Sequence, residues 1–355
     1  MSQGPRKFCF ALGACVAIAS PEAPATAYTF TPIDVPFAGV VQTFALGINN
    51  GGQIVGDYLD SSGVHGFLDN GGSFSPIDVP FPGAAGTEAL GIDSGGQIVG
   101  CFNCAHGATT GTHAFLYIAG TFTSIDVPFP GGFGTVANGI NDAGQIVGSY
   151  FDASGIGHGF LDKAGVFSTI DVPFAGSSSG TFAQGINTGG QIVGWYSSGP
   201  GGEHGFLDNS GSFSAIDVPF PGNSGTIADG INDRGQIVGT YRDAAGAIHG
   251  FLDDGGIFTS INVPLAFDTK PNGINIASQI VGSFGDARGL HGFLATSIPE
   301  PRSLFLVGSG LAALGFGAYR KARGRQAPKG GSPGPAVLLR RLVQRRAHIE
   351  LRRAA

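Results

Sequence analysis

Six histidines, His65, His113, His158, His204, His249 and His291, recur along the chain. Asp34, Asp78, Asp126, Asp171 and Asp217, with Asn262 in a sixth position, each precede a Val-Pro pair. A ring of imidazoles pointing at a common axis is metal-binding chemistry. A metal needs three or four ligands converging at about 2.0–2.1 Å, however, and a six-membered ring spreads them apart unless every side chain points inward. The repetition favours a structural role, a packing or hydrogen-bond device that ties one strand to the next turn. The aspartates face the same choice. They could form a cation-binding rim, or each carboxylate could accept backbone N–H bonds at a strand end and fix the Val-Pro turn, which is the reading adopted. No stretch has the Asp-x-Asp-x-Asp-Gly order of a calcium loop.

Cys101 and Cys104 form the remaining reactive pair. In an exported protein this spacing is a small-loop disulfide. A redox pair would need a thioredoxin-like strand and helix pattern around it, and a metal site using His106 or His113 would lack a second cysteine pair. The charges that break the pattern, Glu88, Glu203, Arg234, Arg242, Lys270 and Arg288, make no nucleophile, base and orienter set at motif spacing. Trp195 is an aromatic departure beside Tyr196. It is read first as core and second as a platform for a sugar ring.

The elements that must position these residues are repeats. Copies of Gly139-Ile140-Asn141-Asp142-Ala143-Gly144-Gln145-Ile146-Val147-Gly148 place a glutamine at Gln53, Gln97, Gln145, Gln191, Gln236 and Gln279, in steps of 44, 48, 46, 45 and 43. One unit reads as four short strands: Ala45–Asn49, Gln53–Tyr58, His65–Leu68 and Phe74–Phe81. Turn-forming Asn, Asp, Ser and Gly clusters separate them. Pro76 and Pro80 put the fourth strand on a sheet edge. The first piece, Phe30–Phe37, is a fourth strand alone, and the last, His291–Leu294, is a third strand lacking its fourth. Joined, they close a ring and leave no open edge. The expected fold class is all-β: a six-bladed β-propeller of four-stranded blades closed by the N-terminal strand over residues 28–297, plus a C-terminal transmembrane helix.

Between Tyr28 and Ile298 there are 22 acidic and 5 basic residues, so this part carries 5 − 22 = −17 where the whole chain carries −6. A surface of that sign repels phosphate backbones, and no nucleic-acid partner is expected. Residues 1–27 read as a signal peptide: Arg6 and Lys7, the apolar run Phe8–Ala19, then a small-residue exit with cleavage after Ala27. Leu12-Gly13-Ala14-Cys15 offers a lipidation site as the alternative. Beyond the repeats, Ser303–Ala318 carries no charge and Arg320-Lys321-Ala322-Arg323 follows, the pattern of one membrane helix with its basic end inside. Residues 324–355 form a basic tail and are left unassigned.

Pro299-Glu300-Pro301, the glycine-containing apolar run and the basic cluster resemble the PEP-CTERM sorting signal of exported bacterial proteins over residues 298–323. That resemblance implies retention in the inner membrane until an exosortase-type enzyme processes the chain near the motif, and then release to the cell surface or beyond. Members usually end soon after the basic cluster, and this chain does not. His113-Ala114-Phe115-Leu116-Tyr117 and the Gly-Ile-Asn-x-x-Gly-Gln-Ile-Val-Gly copies resemble HAF repeats of bacterial extracellular proteins, although five of six copies have Gly in place of that Ala. The family implies export and β repeats but no reaction. The resulting expectation is a non-catalytic, envelope-anchored binding or structural module that needs no cofactor and has extracellular polysaccharide as its partner. A polysaccharide lyase or hydrolase acting at one mouth of the channel is the alternative.

Overall fold

The computed structural model describes residues 28–104, 111–175, 180–199 and 202–298. Strand β1 is Tyr28–Ile33. Four-strand meanders follow: β2 (Gln42–Ile48), β3 (Ile54–Asp60), β4 (Gly63–Asp69) and β5 (Phe74–Ile77); then β6 (Thr87–Ile92), β7 (Ile98–Phe102), β8 (His113–Ile118) and β9 (Thr121–Ile125). Next come β10 (Phe133–Ile140), β11 (Gln145–Phe151), β12 (Gly157–Lys163) and β13 (Val166–Ile170), and β14 (Thr181–Ile186), β15 (Gln191–Ser197), β16 (Glu203–Asn209) and β17 (Ser212–Ile216). The last are β18 (Gly225–Ile231), β19 (Ile237–Arg242), β20 (Ile248–Asp254) and β21 (Ile257–Ile261), with β22 (Asp268–Ile274), β23 (Ile280–Asp286) and β24 (Gly289–Ser297). Among the described residues there is no α-helix.

The fold is an all-β propeller of four-stranded blades. Four blades are separate sheets, β6–β9, β10–β13, β14–β17 and β18–β21. Six separate sheets are expected from the repeats. Instead the other eight strands form one sheet, ordered β22-β23-β24-β2-β3-β4-β5 with β1 on β24. The join within it is a single parallel pair, Gln42 with Leu290. By contrast β1 runs antiparallel along β24 for six pairs, Tyr28↔Ser297 to Ile33↔Gly292, with Phe293 opposite Pro32. The N-terminal strand therefore occupies what would otherwise be an open edge. The inner strands β2, β6, β10, β14, β18 and β22 touch in turn, and β22 touches β2.

The core lies between blades. Each third strand buries one phenylalanine completely: Phe67, Phe115, Phe160, Phe206, Phe251 and Phe293. Each cluster also takes a valine from the preceding blade, as Val55 joins Ile77, Ala89 and Phe115. This is why Ile-Val runs without alternation, since both faces of the second strand are covered. The glycine after Ile-Val is a packing requirement: a Cβ on Gly148 would overlap the Val136 carbonyl and the Phe160 ring.

The fourth strand is shorter than expected. β5 stops at Ile77, and the Val79 N–H instead donates to Thr87 Oγ1 on the next inner strand at 3.1 Å. The same tie recurs from Val35 to Thr43, Val127 to Thr135, Val172 to Thr181, Val218 to Thr226 and Val263 to Thr269.

Candidate functional site: two unlike mouths

The histidines do not meet at an axis. Each stands at the start of a third strand, in the outer half of its blade. Nδ1 lies 2.7–3.2 Å from the fourth-strand carboxylate in the pairs His65–Asp78, His113–Asp126, His158–Asp171, His204–Asp217 and His291–Asp34. This corrects the expected role of those aspartates. They take the imidazole, while the threonine hydroxyl holds the Val-Pro turn. The sixth unit has Asn262, and there His249 turns to Asp243 at 3.2 Å. An aromatic from the second strand packs on each ring, as Tyr58 does on His65 at 5.2 Å between centroids. In the closing blade Nε2 of His291 also faces Asp286 at 3.5 Å, and hydrogen bonds from Arg288 hold the Asp286 carboxyl down to about 2.

Cys101 and Cys104 are bonded to each other. Among the described residues, the one group of three ligand atoms close enough to share an ion is Glu88 with these two cysteines, and the disulfide has used both sulfurs.

The mouth where the inner strands end is nearly uniform. Asn49 Oδ1 accepts from the Gly51 and Gln53 N–H groups, and its Nδ2 donates to Gln53 Oε1 and to the Asp93 carbonyl one blade on. Asn141, Asn187, Asn232 and Asn275 repeat the inter-blade tie, and the last closes the circle on the Asn49 carbonyl at 3.2 Å. Asp93 has no amide to donate, so one link is missing. Among the described residues its carboxylate accepts from Gln97 alone, through the backbone N–H and the side-chain amide.

The mouth where the inner strands begin is irregular. Every inner strand has a bulge between its buried Ala or Pro and the following glycine, for example Ala45/Gly47 and Pro271/Gly273. The bulged residues, Leu46, Leu90, Asn138, Gln184, Asp229 and Asn272, line the channel, as bulges beside sites commonly re-aim a side chain. Two are aliphatic and four polar, so the channel is not six-fold. Outward from them stand the cross-strand pairs Phe44–Asp57, Glu88–Cys101, Val136–Ser149, Phe182–Trp195, Ile227–Thr240 and Lys270–Ser283. No two pairs are alike.

Two cavities open here. The larger, about 380 Å³, runs over β6–β15 and is lined by Glu88, Leu90, Val136, Asn138, Ser149, Phe151, Phe182, Gln184 and Trp195 beside the disulfide. Its aromatic wall is a parallel stack, with the Phe182 and Trp195 rings 4.2 Å apart at 16°. Trp195 is thus half-buried in a cavity wall and not in the core, its first expected place. The smaller, about 190 Å³, lies between β18–β19 and β22 and brings Glu203, Arg242 and Lys270 together with Asp229. The irregular charges lack motif spacing in the chain, yet three share one cavity. Asp57 and Asp229 titrate well above ordinary carboxylates because burial penalises their charged forms. Glu88 adds to the rise at Asp57, and Lys270 opposes it at Asp229.

The fold and its mouths define the class, an all-β propeller with one regular and one irregular channel opening. No protein-family model matches the chain, and no curated protein sequence matches it. Among solved structures, a mutant of the Aleuria aurantia lectin in complex with α-methyl-L-fucoside is similar at 12% identity, covering 73% of this chain and 92% of its own, with a TM-score of 0.45. AofleA from Arthrobotrys oligospora is similar at 11% identity, 80% and 93% coverage and a TM-score of 0.44. Trypanosoma rangeli sialidase in complex with sialic acid is similar at 12% identity, 88% and 64% coverage and a TM-score of 0.46.

Ala27, the motif Pro299, Glu300 and Pro301, the apolar run Ser303–Ala318 and the basic tail lie outside the described residues. Among those described, no helix is long and apolar enough to cross a membrane.

Proposed function

We propose that the chain is an exported, envelope-held propeller that binds carbohydrate without turning it over, at the irregular mouth. The observation that carries the reading is the Phe182–Trp195 stack set in a cavity beside Asn138, Gln184 and Ser149. A sugar ring offers an apolar C–H face to an aromatic surface and hydroxyls to amides, and this wall supplies both. Counting the eight-stranded sheet as two blades makes the scaffold six-bladed. Such a scaffold holds its varied loops rigidly. Export and anchoring are supported by the basic start, apolar run and small-residue exit before Tyr28, and by Pro299-Glu300-Pro301 with its apolar run and basic cluster. An exosortase-type enzyme and extracellular polysaccharide are the partners this reading assigns.

The test is a glycan array on the full chain and on Trp195→Ala. The expected result is one glycan class bound by the wild type, with about tenfold or greater loss in the variant at unchanged melting temperature. Equal binding by both proteins, or no glycan bound by either, would sink the reading. One observation favours a lyase or hydrolase instead. Burial pushes the Asp57 carboxyl, beside Glu88 at this mouth, well above the ordinary carboxylate range, which is the direction a general acid needs. Turnover of a polysaccharide that disappears in Asp57→Asn would replace binding with catalysis.

A further inference from the structure

The described residues carry five basic side chains against 22 acidic ones, and two of the five, Arg242 and Lys270, line the same 190 Å³ cavity. Elsewhere Arg288 is bound to Asp286 at 2.7 Å. Arg242 is only loosely held, 4.0 Å from Glu203 with both side chains well exposed, a pairing of little worth in water. Lys270 is exposed and has no ion pair within 4 Å among the described residues. Asp229 also lines the cavity, and burial raises its carboxyl well above the ordinary carboxylate range while Lys270 opposes the rise.

The cavity therefore offers two cationic side chains, one of them only loosely paired and the other outside any ion pair among the described residues, within a domain of negative charge whose wider field is screened beyond about 8 Å at physiological salt. Thr240 and Asn272 add hydrogen-bonding groups, and Ile227 gives an apolar flank. Its volume falls below the roughly 300–1,000 Å³ of drug-sized ligand sites, so it fits one sugar residue and not a chain.

We infer that this cavity takes the carboxylate of a uronic acid residue, with Lys270 and Arg242 as its cationic grip, so that the glycan at the irregular mouth is an acidic one. The inference rests on the carbohydrate-binding reading and names its ligand class. Calorimetry on the full chain with a tetragalacturonate, its methyl ester, maltotetraose and free acetate tests it. The acidic tetramer is expected to bind roughly tenfold more tightly than its ester, one charge-assisted contact being worth about that factor. That advantage should fall with added salt, vanish in Lys270→Gln and return in Lys270→Arg, while acetate alone binds far more weakly. Acid and ester binding alike, or Lys270→Gln keeping the preference, overturns the inference and leaves carbohydrate binding intact. Acetate binding as tightly as the tetramer assigns the cavity to free small acids and also overturns it. Binding of none of the probes overturns the inference, and a blank glycan array beside it overturns the broader reading.

Discussion

The two openings of the channel are built from the same repeats and differ in what the repeats are allowed to vary. Where the inner strands end, Asn49, Asn141, Asn232 and Asn275 each make two bonds on the turn, one on the glutamine and one on the next blade. A side chain whose full hydrogen-bonding capacity is committed cannot change without leaving buried groups unpaired. Where the strands begin, the bulge releases one residue per blade from the ladder, and its neighbours face a channel and not a partner strand. Nothing in the ladder then constrains identity, and six different cross-strand pairs appear. One opening holds the ring together, and the other is free to recognise.

Breaking the regular mouth should cost most. Asn232→Ala removes the acceptor for the Arg234 and Gln236 N–H groups and the donor to the Asn275 carbonyl. A loss of about 2–4 kcal/mol by chemical denaturation is expected, with binding at the other mouth unchanged in the protein that remains folded. The irregular mouth should respond with the opposite sign. Asp57 has an Oδ2 with no hydrogen-bond partner among the described residues and a carboxyl pushed well up by burial. Its contribution to stability is full below the ordinary carboxylate range and is lost as pH rises through the raised folded value. Asp57→Asn should therefore melt higher than wild type at pH 8, with the gap closing toward pH 4. A constant gap would show that the carboxyl is not the cause. The smallest effect sharpens the regular mouth. Asp93→Asn supplies the missing amide opposite the Asn141 carbonyl and should add about 0.5–1.5 kcal/mol, read as a rise of a few degrees in melting temperature.

Much of the scaffold was legible in the chain. The period, the four strands per unit and the complementary half-units correspond to the blades and to β1 on β24. The fusion of two blades through Gln42 and Leu290 was not, because one parallel pair leaves no pattern in side chains. Thr43, Thr87, Thr135, Thr181, Thr226 and Thr269 were visible as a repeated column, yet their role was missed. A hydroxyl that accepts from a backbone N–H of the preceding blade looks in sequence like any strand threonine. The aspartates before Val-Pro were misplaced for a related reason. For four of them the imidazole partner lies 13 residues upstream and is brought alongside only by the third hairpin, and Asp34 meets His291 only through the ring closure.

By itself the sequence determined the repeat, the hairpins and the burial pattern, because turn glycines and apolar spacing act over a few residues. Only the tertiary structure decided which unlike residues share a wall. Trp195 and Glu88 line one cavity, and Glu203 and Lys270 another, across blades. A closed ring makes neighbours of residues whose separation in the chain carries no signal, since nothing between them needs to conform to their meeting.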